Sequence, residues 1–385
     1  MSLTRRRWLA YGCAHCATLA AGGAWAVDDW QPPPRFLRPD LASDEGGLWA
    51  MVDREETKLR RSSFVMRDPA LNDYLKAITC KLGGDHCADA RVYAVRTPWF
   101  NASMFPNGMM QVWSGLLLRV ENEAQLAAVM GHEIGHYLKR HSVERLRDAK
   151  QRSAFASVIG VFGLVGALGA LGAVAGGAAF SREHEREADR IGLLLMARAG
   201  YDPREASRVW ANLRAELAAG PAGDPSKKSA LFASHPPSDE RQATLAELAG
   251  EQTGFLGEAE YRERIEPFMW GLLDDELKRT QYDESIALIT RLADKQPQRA
   301  DLRYFRGEAR RLRAKDEDLS LALADFDEAL KLAKPPAQAY RSVGYIARQQ
   351  GRKDDARSAF TRYLDAAPDA PDAGMIRNEI SELQS

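Results

Sequence analysis

Apolar residues recur at helical spacing along most of this chain, and the places where that spacing fails divide it into parts. Residues 48–79 carry the helical pattern, interrupted at Asp68-Pro69, which predicts two helices. Strand-like runs follow at Ala90–Val95 and Met109–Trp113, the second ending at Ser114-Gly115. From Leu116 helical spacing returns, with Glu121, Glu123 and Gln125 polar and Leu126, Val129 and Met130 forming an apolar stripe. One helix is expected from there through residues 129–141, VMGHEIGHYLKRH. A further helix over about 181–198 ends at Gly200, and Asp202-Pro203-Arg204-Glu205 starts the next with a cap, a proline and an acid. Residues 218–239 read as loop, punctuated by Gly220-Pro221, Gly223-Asp224-Pro225 and His235-Pro236-Pro237.

Beyond residue 262 the chain is helical and repeats itself about every 34 residues. The clearest copy has Ala339-Tyr340, Val343-Gly344-Tyr345, Gly351, Ala356, Phe360 and Pro368. An earlier one has Tyr304-Phe305-Arg306-Gly307, Ala322, Phe326 and Ala329-Leu330, and a weaker one covers about 267–298. These copies resemble tetratricopeptide repeats, with small residues where paired helices approach and aromatics filling the gaps; a generic array of helical hairpins would share the pattern. Either way residues 262–385 read as an α-solenoid, a fold that offers a concave surface to a partner.

Length and charge refine this picture. A chain of 385 residues suggests two or three domains, and 45% apolar residues suffice for a large core. A net charge of −1 gives no basic excess, so nucleic acid is not an expected partner. Arg5-Arg6-Arg7 precede a charge-free stretch, Trp8 to Val27, holding the small-x-small site Ala24-Trp25-Ala26. Residues 1–26 therefore read as an export signal with twin-arginine character around Thr4–Leu9, the alternative being an uncut membrane anchor. Residues 27–47, with Pro32-Pro33-Pro34, read as an irregular mature N-terminus. Cys13 and Cys16 would leave with the signal. Cys80 and Cys87, flanking Gly83-Gly84, then read as a disulfide loop in an oxidising compartment, with free buried thiols as the alternative. Signal and cysteines together point to the periplasm.

The candidate chemistry lies at His132-Glu133-Ile134-Gly135-His136. On a helix, residues four apart share a face, so the two histidines can hold one ion while Glu133 works on water beside it. Catalytic zinc needs a third protein ligand and an open position, and His141, His184 and Glu185 are the downstream candidates. His141 falls about half a turn out of phase with His132 and is expected at the exposed end of the helix. Glu185 and Asp189 lie at i, i+4, so one carboxylate can bind metal while the other accepts the outer N–H of a ligand histidine. Glu183 and Glu187 fit a solvated face, and Ala188 and Gly192 would let two helices approach closely.

Taken together, Ser114–Leu117, Asn122–Val129, His132–His136, His141 and Glu185-x-x-Ala188-Asp189-x-x-Gly192 resemble the HtpX/CAAX-prenyl-protease family of gluzincin metallopeptidases. The exported, repeat-bearing form is similar to the beta-barrel assembly-enhancing proteases. The resemblance covers roughly residues 50–245 and the repeats. It implies a mainly α protein: an α+β zinc metallopeptidase domain over 48–250, helical with a small sheet, ahead of the solenoid. It further implies one zinc per chain, His132, His136 and Glu185 as ligands, Glu133 as general base and Asp189 as the carboxylate behind a ligand histidine. His235, in Ser234-His235-Pro236-Pro237, matches a family-like segment and reads as an oxyanion donor, a fourth zinc ligand or a plain loop histidine. The chain departs from the family at Asn101–Gly108, where the family often shows Asn-Ala-Phe-x-x-Pro-Gly-Gly.

Zinc ligation at His136 and Glu185 also constrains residues 154–180, which carry no charge and by length alone could cross a bilayer. A single crossing would put the two ligands on opposite sides, so the run must return as a lid, a buried hairpin or a membrane-touching hairpin. The expected activity is a periplasmic zinc endopeptidase acting on misfolded or stalled envelope proteins, with the repeats docking substrate or outer-membrane assembly machinery. The rival expectation is a chaperone-like adaptor with a largely silent zinc site. A membrane-embedded prenyl protease would need more apolar spans than remain after signal removal.

Overall fold

Two side-chain caps set the first helices. Ser43 accepts a hydrogen bond from the Gly46 amide and starts α1 (Asp44–Arg61), and Asp68 accepts from the Leu71 amide, with Pro69 beside it, to start α2 (Pro69–Gly83). A computed structural model of the chain describes residues 30–151, 180–221, 235 and 239–384. The expected export signal, and all but the last residue of the 154–180 run, lie outside the described residues. Helix α1 begins four residues before the expected boundary, because Ser43 with Asp44 and Glu45 forms a stronger start than periodicity alone reveals. The Cys80–Cys87 disulfide is formed and closes the short 3-10 turn after α2.

A three-stranded sheet follows, β1 (Arg91–Val95), β2 (Ala102–Met104) and β3 (Met109–Trp113), in the order β1-β3-β2. β3 is central and fully buried; it pairs parallel with β1, Val95 opposite Trp113, and antiparallel with β2, Ala102 opposite Val112. Strand β2 escaped the sequence reading because three residues are too few to show a period. Leu48, Val52 and Leu59 of α1 pack with Val95, Phe105, Met109, Trp113 and Val143 into one core cluster.

The single helix expected from Leu116 is two: α3 (Ser114–Arg119) and α4 (Glu123–Leu138). Asn122 breaks them apart, its side-chain oxygen accepting from the Gln125 amide at 2.8 Å while its amide donates to buried Glu205. Helix α4 is buried along its whole length. It ends before the expected point, since Arg140 adopts φ 60° and reverses the chain into α5 (His141–Gln151). After the undescribed run come α6 (Arg182–Arg198), α7 (Arg204–Ala219) and α8 (Asp239–Ala249).

The remaining helices are α9 (Glu258–Ile265), α10 (Met269–Leu277), α11 (Tyr282–Lys295), α12 (Ala300–Arg313), α13 (Asp318–Lys331), α14 (Gln338–Gln349), α15 (Lys353–Ala366) and α16 (Ala373–Glu382). Their pairing explains the repeat pattern. A β-carbon at Gly307 would meet the Phe326 ring at 2.6 Å, and one at Gly344 would meet Phe360 at 2.4 Å, so each glycine makes room for the aromatic of its partner helix. Residues 35–385 form one unit. Buried Arg119 joins its two halves, donating to Glu216 of α7 at 2.8 Å and to Glu276 of α10 at 2.9 Å. Arg96 adds a forked pair with Asp275 at 2.6 and 3.0 Å.

Candidate metal centre

Small residues bring the site together. A β-carbon added at Gly131 would lie 3.2 Å from the Gly192 carbonyl oxygen, and one at Gly135 would lie 2.9 Å from that of Ala188. These pairings, 131 with 192 and 135 with 188, run α4 and α6 antiparallel at very close range. The i, i+4 histidines of α4 therefore face the i, i+4 carboxylates of α6. His132, Glu133, His136, Glu185, Asp189 and His235 are all buried.

Four of these side chains converge. One ligand atom from each of His132, His136, Glu185 and His235 lies within 4.8 Å of the other three. The Nε2 atoms of His132 and His136 are 3.1 Å apart, and Nδ1 of His235 is 3.2 Å from the first of them and 2.8 Å from Glu185 Oε1. His132 turns its other nitrogen outward, with Nδ1 2.8 Å from Asp189 Oδ1. That contact places the proton on Nδ1 and leaves Nε2 presenting a lone pair to the cluster. Arg241 of α8 then clamps both carboxylates, with Nε and Nη2 on Asp189 at 2.7 and 2.8 Å and Nη1 on Glu185 at 2.6 Å.

The electrostatics fit a site built for a cation. Burial raises the Glu185 carboxyl, but His235, His136 and Arg241 outweigh it and hold Glu185 well below the usual carboxylate range. Asp189 is likewise lowered, burial being overruled by Arg241 and His132. Burial keeps His136 neutral far below the ordinary histidine range. His132 goes the other way, because Asp189 more than offsets its burial. Three imidazoles and one ionised carboxylate in a dry pocket form the nitrogen-and-oxygen donor set that a zinc-like divalent ion takes.

Glu133 stands beside this cluster. Its carboxylate accepts from the Met104 amide of edge strand β2, and Oε1 is 3.5 Å from His235 Nε2. Oε1 makes no hydrogen bond among the described residues. Burial lifts its pKa above the usual range, toward what a general base needs.

His141 is the main correction to the sequence reading. It is 1% exposed, with Nδ1 2.9 Å from His136 Nδ1 and Nε2 3.0 Å from Glu187 Oε2. His132 and His141 do not share one continuous helix, because the left-handed Arg140 turns His141 back onto His136. Glu187, read as solvated, is half-buried between His141 and Lys139. His184 stands apart from the cluster, 3.1 Å from Glu144 and stacked on His141. Phe180, the last residue of the charge-free run, stacks on His136 with ring centroids 4.1 Å apart. Arg241 carries no role in the sequence reading; an arginine six residues after His235, following Asp239-Glu240, was the available signal. No described helix is long and apolar enough to cross a membrane.

Known proteins are similar to this chain in sequence. Residues 67–249 match peptidase family M48, and residues 271–319 and 311–371 match tetratricopeptide repeats. The mitochondrial metalloendopeptidase OMA1 of Arabidopsis thaliana is 35% identical over 156 residues, covering 40% of this chain and 31% of that protein. OMA1 of Schizosaccharomyces pombe is 34% identical over 158 residues, 40% of this chain and 45% of its own. The beta-barrel assembly-enhancing protease of Escherichia coli (strain K12) is 28% identical over 194 residues, 43% of this chain and 38% of its own. The matched part of the chain thus spans less than half the length of each of these relatives. The converging histidines and carboxylates lie in a peptidase family M48 domain, residues 67–249, and the helical tail that follows it is made of tetratricopeptide repeats.

Proposed function

We propose that this protein is a zinc-dependent endopeptidase of the bacterial envelope, exported to the periplasm, that degrades misfolded or stalled outer-membrane proteins. The observation that carries the catalytic part is the convergence of His132, His136, Glu185 and His235 beside a Glu133 oxygen that makes no hydrogen bond among the described residues. In this reading His132, His136 and Glu185 would hold one zinc ion, which would supply Lewis acidity at the scissile carbonyl. Glu133 takes the proton of the attacking water and passes it to the leaving amine. Its raised pKa suits both halves of that transfer. Asp189 holds His132 in the tautomer that binds metal, and Arg241 keeps both carboxylates ionised.

In this reading His235 would join His132, His136 and Glu185 in holding the ion before substrate binds. Its Nδ1 faces Glu185 and His132 from within the ligand cluster, which supports this role over a plain loop histidine. Substrate entry then requires His235 to leave, and its Nε2, already near Glu133, becomes available as an oxyanion donor.

The envelope assignment draws on the likeness to proteins named beta-barrel assembly-enhancing protease and on the signal-like N-terminus. The repeats, joined to the peptidase through Arg119, dock protein substrates or outer-membrane assembly machinery. The test is metal analysis of the purified protein with casein cleavage by wild type and Glu133→Gln. One equivalent of zinc, with cleavage abolished by chelator and by Glu133→Gln, supports the reading. Stoichiometric zinc with no chelator-sensitive cleavage by wild type, and full complementation of a deletion strain by Glu133→Gln, would leave the repeats as the working part and make the protein an adaptor.

A further inference from the structure

We infer that His141 and Glu187 form a relay behind His136 that positions this histidine for metal, doing through two side chains what Asp189 does directly for His132. The inference rests on the metal reading of the His132–His136–Glu185 cluster and adds residues to it. His136 points Nε2 into the cluster, 3.3 Å from Glu185 Oε1 and 3.1 Å from His132 Nε2. Its Nδ1 therefore carries the proton, and the atom 2.9 Å away is Nδ1 of His141. Because that His141 nitrogen must accept, its Nε2 must donate, and Glu187 Oε2 lies 3.0 Å from it. The second oxygen of Glu187 accepts from Lys139 Nζ at 2.7 Å. Every hydrogen bond in the series His136, His141, Glu187 then points one way, ending on a carboxylate that also faces Lys139.

The backbone explains why a histidine intervenes. On the His132 side, α6 passes close enough for Asp189 to reach the ring directly. Nearer the end of α4, the corresponding carboxylate is Glu187 on a more outward position of α6, half-exposed, and an imidazole bridges the gap. Arg140 in its left-handed turn delivers that imidazole. Phe180 against His136 and His184 against His141 close the faces of the two rings. Hydrogen bonding of a ligand histidine's outer N–H fixes the ring and raises its basicity toward metal, and losing such a partner typically costs about 10–100-fold in metal affinity.

Three variants separate positioning from mere packing. His141→Asn keeps an acceptor oxygen where Nδ1 stood, His141→Gln keeps a donor where Nε2 stood, and His141→Ala keeps neither. Zinc affinity is measured by competition with a chromogenic chelator, the Co(II)-loaded absorption spectrum reports ligand geometry, and thermal unfolding of the metal-free proteins controls for folding. The relay predicts that His141→Ala and His141→Gln lose about 10–100-fold in zinc affinity with shifted cobalt bands. His141→Asn should retain most of the affinity at similar metal-free stability. Wild-type affinity and spectrum in all three variants overturn the relay while leaving the metal site standing. Binding of no metal by wild type defeats the underlying metal reading instead. A second equivalent of zinc that disappears in His184→Ala also overturns the relay, since His141 Nε2 would then be a ligand with Glu144 and His184.

Discussion

Gly135 of α4 sits so close to Ala188 of α6 that a β-carbon at 135 would lie 2.9 Å from the Ala188 carbonyl oxygen. The same spacing recurs one turn away, where a β-carbon at Gly192 would lie 2.8 Å from the His132 amide nitrogen. The distance between these helices sets whether Glu185 can reach the same ion as His132 and His136. Gly135→Val forces the pair apart and should cost about 1–3 kcal/mol in stability, as overpacking of a tight interface does. It should also weaken zinc binding well beyond what the stability loss explains. Urea unfolding and chelator competition measure the two separately, and unaltered zinc affinity in a destabilised Gly135→Val would show that helix spacing does not set the site.

The parts of this site that the sequence revealed are those with a period. Histidines four apart and carboxylates four apart specify a helix face each, and the small residues Ala188 and Gly192 specify contact between them. What stayed hidden depended on breaks with no periodic signature. Neither Lys139 nor Arg140 is a glycine or proline, so nothing announced that α4 ends there and that His141 swings back to His136. Asn122 as a cap inside a helix-like stretch was similarly silent. In the two clearest repeats, by contrast, Gly307 and Gly344 face Phe326 and Phe360, so that pairing was legible from sequence alone.

Arg241 compensates two buried carboxylates, and its removal should be costly in proportion to what else can compensate them. In the metal-free protein Arg241→Met leaves Asp189 facing His132, and Glu185 facing histidines with the charge of Arg145 near by, among the described residues. Breaking a buried ion pair from one side typically costs about 3–5 kcal/mol. A bound divalent ion supplies positive charge to Glu185, so the penalty should shrink when zinc is saturating. Urea unfolding of wild type and Arg241→Met, each with zinc and with chelator, gives the comparison. A penalty independent of metal would mean that Arg241 acts on packing, including its stack over Trp210, more than on charge.

Arg119 ties the peptidase domain to the repeats, and its two carboxylate partners come from different sides of that junction. It is 4% exposed, and Glu276 is fully buried. Arg119→Met should uncouple the halves, because it removes the one side chain that pairs with both Glu216 and Glu276, leaving Glu216 to Arg291 and Glu276 to Arg279 and Ser285. Wild type should unfold in one cooperative denaturant transition and Arg119→Met in two, the first reporting the repeats. A single transition at wild-type midpoint would show that the other junction contacts suffice.

Glu56 gives the fold an acid limit away from the metal cluster. Its carboxylate takes two hydrogen bonds from Arg91 at 2.6 Å each, one from Tyr93 at 2.8 Å and one from Asn107 at 3.1 Å, joining α1 to β1 and the turn before β3. Burial pushes its pKa up, but these partners outweigh it and the folded value lies below the ordinary one. A depressed folded pKa means that the stabilisation is fully present above the unfolded value, about 4.3 for glutamate. It is lost as pH falls through the lower folded value, where the unfolded chain already binds the proton. Glu56→Gln cannot titrate, so it should melt below wild type at pH 7, with the gap narrowing as pH drops under about 4. Because every other carboxylate, those of the metal site included, titrates in both proteins, the difference between their melting temperatures from pH 3 to 7 isolates Glu56. A gap that stays constant over that range would assign Glu56 a packing role without electrostatic stabilisation.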